Sequence, residues 1–92
     1  MRTIHKIKLV ATNEQTLRIG GLIRIISVVN QKEEMVVYAV VDTDKKDCEY
    51  VKFKVFGTGH EFDIRSSDWK FLDTVNMAGG NLMWHVFYSL TK

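Results

Sequence analysis

The sequence predicts an all-β fold, a single small antiparallel β-sandwich or partly open barrel of about seven short strands. Apolar residues recur at every second position in several short runs, which is the period of a strand. Those runs are rich in valine, isoleucine and aromatic residues, which fit a pleated surface better than a helix. Glycines and polar clusters separate the runs, and the absence of proline leaves every backbone donor free to join a ladder.

The first five strands follow from this alternation. They are predicted over Thr3–Ala11, Thr16–Ile19, Leu22–Asn30, Met35–Asp42 and Glu49–Phe56. Gly20 and Gly21 follow the second strand, where the missing side chains permit a bulge or a sharp reversal. The third strand is apolar on both faces, which predicts a central position in the sheet. Residues 42–47 resemble a charged hairpin loop, so the third to fifth strands are predicted to form a meander.

The last quarter of the chain, Trp69–Leu90, predicts two strands joined by a Gly79-Gly80-Asn81 turn. The second of these strands alternates between two mostly apolar faces. One face carries Leu82, Trp84, Val86, Tyr88 and Leu90, and the other carries Met83, His85, Phe87 and Ser89. Such a strand is expected to be buried on both sides, in its own core or against a second copy, which predicts an interface at Met83, Trp84 and Phe87. Residues 61–67 are expected to hold at most one short helical turn.

The totals predict one domain over residues 1–92, because a chain of 92 residues buries only about 60–65% of its unfolded surface. Thirteen Lys and Arg stand against eleven Asp and Glu, a net charge of +2, so nucleic acid is not the expected partner. The lone Cys48 and the absence of an apolar signal core predict an intracellular protein. No apolar run reaches the roughly 18–20 residues that would cross a bilayer.

The most site-like stretch is Gly57-Thr58-Gly59-His60. Two glycines allow backbone amides to approach an anion closely, Thr58 adds a hydroxyl, and the His60 imidazole can donate to phosphate or carboxylate. A tight turn between two strands explains the same glycines, and a loop histidine is commonly only solvated. No helix-opening Gly-Lys-Ser and no βαβ unit accompany the stretch, so it is not a nucleotide-binding fingerprint.

His85 lies in the strand expected to be most buried. It is interpreted either as a hydrogen-bonded core or interface histidine, or as a ligand-facing imidazole near His60 or Arg24 that would help to hold a small anionic molecule. The predicted ligand-binding set is therefore Gly57, Thr58, Gly59, His60, His85 and Arg24.

Neither metal binding nor catalysis is expected, and no cofactor is predicted. His5, His60, His85 and Cys48 are not in a recognised metal-ligand spacing. Cys48 has no evident base, and the serines carry no nucleophile-elbow motif. A local basic patch, formed by Lys45, Lys46, Lys52 and Lys54 with Tyr50, is interpreted as a solvated edge because Asp and Glu residues dilute its charge.

Several segments resemble a family of small uncharacterised proteins encoded in tailed-phage genomes. They are Glu14-Gln15, Ile25–Val28, Tyr38–Asp42, Phe56–His60, Phe71-Leu72 with Thr74-Val75, and Gly79-Gly80 with His85-Val86-Phe87. The Gly-Thr-Gly-His and Gly-Gly…His-Val-Phe motifs are the most specific. The chain departs from the family at Gly20-Gly21, where a proline-containing turn is usual. The resemblance implies a phage gene product acting in the host cell cytoplasm, and it carries no activity.

The expected function is that of a non-enzymatic phage accessory protein, acting in counter-defence. In this hypothesis a homo-oligomer sequesters a small anionic, nucleotide-like host signal at its subunit boundaries. The alternatives are a stoichiometric inhibitor of a host defence or transcription enzyme, and a minor virion component.

Overall fold

A computed structural model describes residues 1–61 and 68–91 of the chain. This part forms seven β-strands and one short 3₁₀ turn, with no α-helix. The strands are β1 (Arg2–Leu9), β2 (Gln15–Gly20), β3 (Leu22–Gln31), β4 (Glu34–Asp42), β5 (Cys48–Gly57), β6 (Lys70–Met77) and β7 (Leu82–Thr91). The all-β prediction is therefore confirmed, while residues 62–67 of the predicted helical turn lie outside the described residues. In the described part, no helix has the length and apolar character needed to cross a membrane.

The strands form two antiparallel sheets. The first sheet has the order β1-β4-β3, and the second has the order β2-β5-β7-β6. The molecule measures 41 × 32 × 15 Å, and its thickness fits two layers stacked roughly 10 Å apart. On one side β3 lies beside β6, whereas β1 and β2 end their sheets without pairing to each other. The fold is thus a sandwich that is closed along one side.

The core lies between the sheets and is built from alternate residues of the inner strands. The most buried members, each at most 2% exposed, are Val28, Val37, Ala39, Val41, Val51, Phe53, Val55, Val75 and Val86. The period-2 alternation that predicts the fifth strand is confirmed, because Val51, Phe53 and Val55 face this core while Lys52 and Lys54 do not. β5, which is ten residues long, is therefore an inner strand of the second sheet that supplies much of its core-facing side.

The prediction that β7 is buried on both sides is confirmed only in part, since His85 and Phe87 on its outer face are half-buried. β7 lies between β5 and β6, and Val86 and Ser89 are buried on its two faces. Leu82 and Leu90 are about half exposed, at 48% and 51%. The two ends of the strand are therefore accessible.

Two predictions about strand pairing are wrong. The third to fifth strands do not form a meander, because β4 and β5 belong to different sheets and residues 43–47 carry the chain between them. β3 is not central; β4 is the central strand of the first sheet, and β3 is an edge strand with register shifts near Arg24 and Ser27. Two apolar residues of this edge strand, Ile26 and Val29, are 41% and 38% exposed.

Gly21 alone carries the chain from β2 in the second sheet to β3 in the first. Its N–H donates to the carbonyl of Asp47 at 2.7 Å, and its carbonyl accepts the N–H of Asp42 at 2.8 Å. Its φ is +65°, and a Cβ at this position would overlap the carbonyl oxygen of Asp42. The predicted bulge or reversal is in fact a corner between sheets, which only glycine fits.

A second link between the sheets lies at their opposite end. The β3–β4 hairpin turns through Lys32 and Glu33, both with positive φ, as a two-residue primed turn requires. Asn30 holds this turn by accepting the Glu33 N–H at 2.8 Å and donates across to the carbonyl of Asn76 at 2.9 Å. The Glu33 carboxylate accepts the Ala78 N–H at 2.9 Å, so two turns from different sheets are hydrogen-bonded together.

Replacing Gly21 by alanine should destabilise the fold by at least about 2 kcal/mol, because both the positive φ and the Asp42 carbonyl exclude a Cβ. Gly20→Ala is the matched control, since its Cβ would have only the Cys48 sulfur nearby, at 3.8 Å. Urea unfolding of the three proteins measures the difference. Equal midpoints for the two variants would show that the corner is not where the structure places it.

Asn30→Ala should lower the free energy of unfolding by about 1–2 kcal/mol, because it removes the bond to Asn76 that links the two sheets and the bond to Glu33 that holds the turn. Asn13→Ala, in the exposed β1–β2 connection, is the control and should change the unfolding free energy by less than about 0.5 kcal/mol. Thermal denaturation compares them. A loss no larger for Asn30 than for Asn13 would contradict the link.

Candidate functional site

The Gly57-Thr58-Gly59-His60 stretch forms a tight turn at the end of β5. The His60 N–H donates to the Gly57 carbonyl at 3.1 Å, and Gly59 has a φ of +89°, as the third residue of a type II turn requires. The Gly57 N–H donates in return to Nδ1 of His60 at 3.2 Å. The turn is therefore closed by its own backbone and by its histidine.

The His60 ring lies directly over Gly57. A Cβ at Gly57 would come within 2.9 Å of the ring carbon Cε1, so only glycine allows this approach. Because Nδ1 accepts a hydrogen bond, the proton of the neutral ring is on Nε2. His60 consequently offers a donor, not an acceptor, to anything that binds beside it.

Strand register places His60 and His85 on opposite faces of the second sheet. Gly57 pairs with Trp84, and Phe56 pairs with His85; residues directly opposite on antiparallel strands share a face. The ring of His60 accordingly meets Trp84, with centroids 6.3 Å apart and planes at 63°. His85 lies on the other face, beside Phe56.

Beside the turn is a cleft of about 290 Å³ that opens at one end of the sandwich. It is lined by Gly57, Thr58, His60, Asn81, Leu82, Met83 and Trp84. A second cleft of about 310 Å³ lies along Trp84 as well, and residues of β1, β4 and β6 line it. Each volume is close to the lower end of the range of roughly 300–1,000 Å³ for ligand pockets. The half-buried indole of Trp84 is therefore a wall common to two neighbouring clefts.

His85 uses both ring nitrogens within the protein. Nε2 lies 2.8 Å from Oγ1 of Thr58, and Nδ1 lies 2.9 Å from Oγ1 of Thr74. One nitrogen of a neutral imidazole donates and the other accepts, so both are satisfied by these hydroxyls. His85 therefore connects the turn to β6 by hydrogen bonds. Thr58, its partner in the turn, also lines the cleft.

Arg24 does not join the other predicted ligand-binding residues. It lies near the start of β3, close to Gly21, which is hydrogen-bonded to Asp47 just before β5 begins. Six residues of β3 separate Arg24 from Asn30, which is hydrogen-bonded to Asn76 at the cleft end of the sandwich, so Arg24 lies roughly 20 Å from that end. By its pairing with Val40, Arg24 lies on the outer face of the first sheet.

The three predicted interface residues are divided between the faces of β7. Trp84 packs against the core. Met83, which is 37% exposed, lies on the outer face with His85. Phe87 makes edge-to-face contacts with Phe56 at 6.1 Å and with Phe71 at 5.4 Å. Because Phe71 is 55% exposed, this aromatic cluster reaches the surface at the edge of the sheet.

Among the described residues, no three His, Cys, Asp or Glu side chains form a group that could hold a metal ion. Cys48 is free and exposed at the start of β5, at the opposite end of that strand from the cleft.

Sequence reasoning missed Asn81 and Leu82, and it treated Trp84 only as an interface residue. Asn81 was recognised as a turn residue, and its role in the cleft follows from the pairing of β5 with β7, which brings the two turns side by side. A pairing between strands 25 or more residues apart leaves no local signal in a single sequence.

Comparison with known proteins gives a family and nothing more specific. No curated protein and no solved structure matches the chain significantly. One family model, described as "Domain of unknown function (DUF7352)", matches residues 1–92. Since the match covers all 92 residues of the sequence, the protein belongs to this family of unknown function.

Proposed function

We propose that this chain is a non-enzymatic phage accessory protein that acts in counter-defence in the host cytoplasm, where it sequesters a small anionic, nucleotide-like signal. The observation that carries the proposal is the cleft beside the Gly57–His60 turn, where polar groups and a tryptophan wall meet in one place. Ligand sites in proteins commonly combine a mostly apolar wall with a few fixed polar groups.

The polar groups of the cleft favour an acceptor-bearing ligand. His60 supplies an Nε2 donor, Asn81 carries a side-chain amide, and Thr58 carries a hydroxyl. The hydroxyl is held by His85 and the imidazole by Gly57, so both are fixed before a ligand arrives. Preorganised groups of this kind reduce the entropy lost on binding.

The apolar wall favours a ligand with a flat body. Trp84 lies between the two clefts, and Leu82 and Met83 complete the side next to the turn. No Lys or Arg is among the described residues that line the cleft beside the turn. Uncharged donors therefore carry the recognition, which suits a nucleotide-like ligand with a single anionic group better than one with a run of phosphates.

The cleft is also open, which supports the proposal of a homo-oligomer. Leu82 is 48% and Met83 is 37% exposed, and the aromatic cluster of Phe87, four residues further along β7, reaches the surface through Phe71. A second copy placed over Met83 would bury this apolar surface and close the cleft at the same time.

His60→Ala should lose the bound ligand while keeping the fold, because the side chain is exposed and its removal costs one hydrogen bond, about 1 kcal/mol. Mass spectrometry of the small molecules released by heating purified protein should show a nucleotide-like compound for the wild type. His5→Ala, an exposed histidine on β1, is the matched control and should release the same compound.

Two outcomes would contradict the proposal. One is a wild-type preparation that releases nothing and shows no thermal shift with a panel of nucleotides, which would favour the inhibitor of a host enzyme instead. The other is equal release from the His60 and His5 variants, which would place the ligand elsewhere.

Met83→Glu should convert an oligomer to a monomer, because it buries a charge in the proposed contact. Light scattering during size-exclusion chromatography should give a multiple of the 10.7 kDa chain mass for the wild type and 10.7 kDa for the variant. Ile4→Glu, at an exposed position of the first sheet, is the control and should stay oligomeric. A wild-type protein that remains at 10.7 kDa at high concentration would rule out the shared cleft.

A further inference from the structure

The outer face of the first sheet collects positive charge from three separate segments of the chain. Its cations are Arg2, Lys6, Lys8, Arg24 and Lys32, and its carboxylates are Glu34 and Asp42. A net charge of +2 for the whole chain therefore conceals a face on which the described residues place five cations against two carboxylates. The basic patch identified in the sequence offers less available positive charge than this face. Its Lys54 pairs with Glu14 at 3.8 Å and lies over the Trp69 ring at 4.6 Å.

The two carboxylates of this face are already engaged. Glu34 pairs with Lys8 at 2.9 Å. Asp42 accepts the Asp44 N–H at 2.9 Å and the Met1 ammonium at 3.0 Å, and these bonds hold the pKa of its carboxyl below the usual value. Lys6, Arg24 and Lys32 form no ion pair with any residue that the structure describes. Their charge is therefore available to an anion.

The cations are spread over the face and do not converge on a single position. Lys6 and Lys8 lie two residues apart on β1, a separation of about 7 Å. Arg24 lies on β3, two strands or about 10 Å across the sheet, opposite Ile4. A cleft of about 280 Å³ opens between Lys6, Lys8 and Lys32, with Val36 in its lining. One small anion would meet only part of this arrangement, whereas a polyanion would meet all of it.

Apolar and aromatic groups lie between these cations. Tyr38 pairs with Lys6, and its Oη donates to Oε1 of Gln31 at 2.9 Å, which fixes the ring on the face. Ile4 is 59% and Val29 is 38% exposed on the same face. Single-strand recognition on β-sheets combines two components: cations that bind the phosphates, and aromatic side chains on which the bases stack.

We propose that this face binds single-stranded nucleic acid. A duplex hides its bases, so it could use the cations but not Ile4 and Tyr38, whereas a single strand can use both. The proposal is independent of the cleft beside His60, which lies at one end of the sandwich and is built from the second sheet. It also revises the expectation from net charge, because the charge is concentrated on one face and not spread over the surface.

Fluorescence anisotropy with a labelled 12-nucleotide oligothymidine tests this directly. With three or four phosphate contacts the affinity should fall by about 20- to 50-fold between 50 and 200 mM salt, since each contact contributes about −0.7 to the logarithmic slope. Lys6→Ala and Arg24→Ala should each reduce the slope by about 0.7. Lys70→Ala, which removes an exposed lysine from β6 of the second sheet, should leave the slope unchanged.

Stacking is tested at Tyr38. Tyr38→Leu should weaken binding by about tenfold, while Tyr38→Phe keeps the ring and should retain most of the affinity. His60→Ala should bind the oligonucleotide normally, which separates this face from the proposed ligand cleft.

The proposal would be overturned by any of three results. They are no binding at 50 mM salt, equal binding of the Lys6→Ala, Arg24→Ala and Lys70→Ala proteins, and tighter binding of a duplex or of anionic lipid vesicles than of the single strand.

Discussion

The register in which β7 pairs with β5 and β6 determines both the packing of the core and the position of the candidate site. Because neighbouring side chains of a strand point to opposite faces, Val86 and Trp84 go to the core side while His85 and Phe87 go to the outer face. The pairing of Gly57 with Trp84 then brings the glycine-rich turn to the tryptophan. A shift of one residue in this register would exchange the two faces and remove the cleft.

Much of the fold could be predicted because strand formation is a local property. The alternation of Val51, Phe53 and Val55, and the Gly79-Gly80-Asn81 turn of the last hairpin, each lie within a few residues of sequence. Pairing between strands is not local. The charged segment 43–47 resembles a hairpin loop in composition, yet it crosses between sheets, and nothing in its residues distinguishes the two paths.

The candidate site likewise has a part that local sequence predicts and a part that depends on strand pairing. The Gly57–His60 turn could be found from its glycines, because a positive φ and a close ring contact each require one. The place of His85 on the opposite face depends on the register of β5 with β7, and the distance of Arg24 from the cleft depends on the corner at Gly21. The cationic face could not be found from the sequence, since β1, β3 and the β3–β4 turn supply it together.

The two proposed activities occupy different surfaces, and both depend on the placement of side chains by strand register. The most direct test is a set of nuclear Overhauser contacts from the histidine rings in solution. The structure predicts contacts between the His60 ring and the Trp84 indole, and separate contacts from the His85 ring to the methyl groups of Thr58 and Thr74. Contacts of the His85 ring with the Trp84 indole, with none from His60, would contradict the register and with it the cleft.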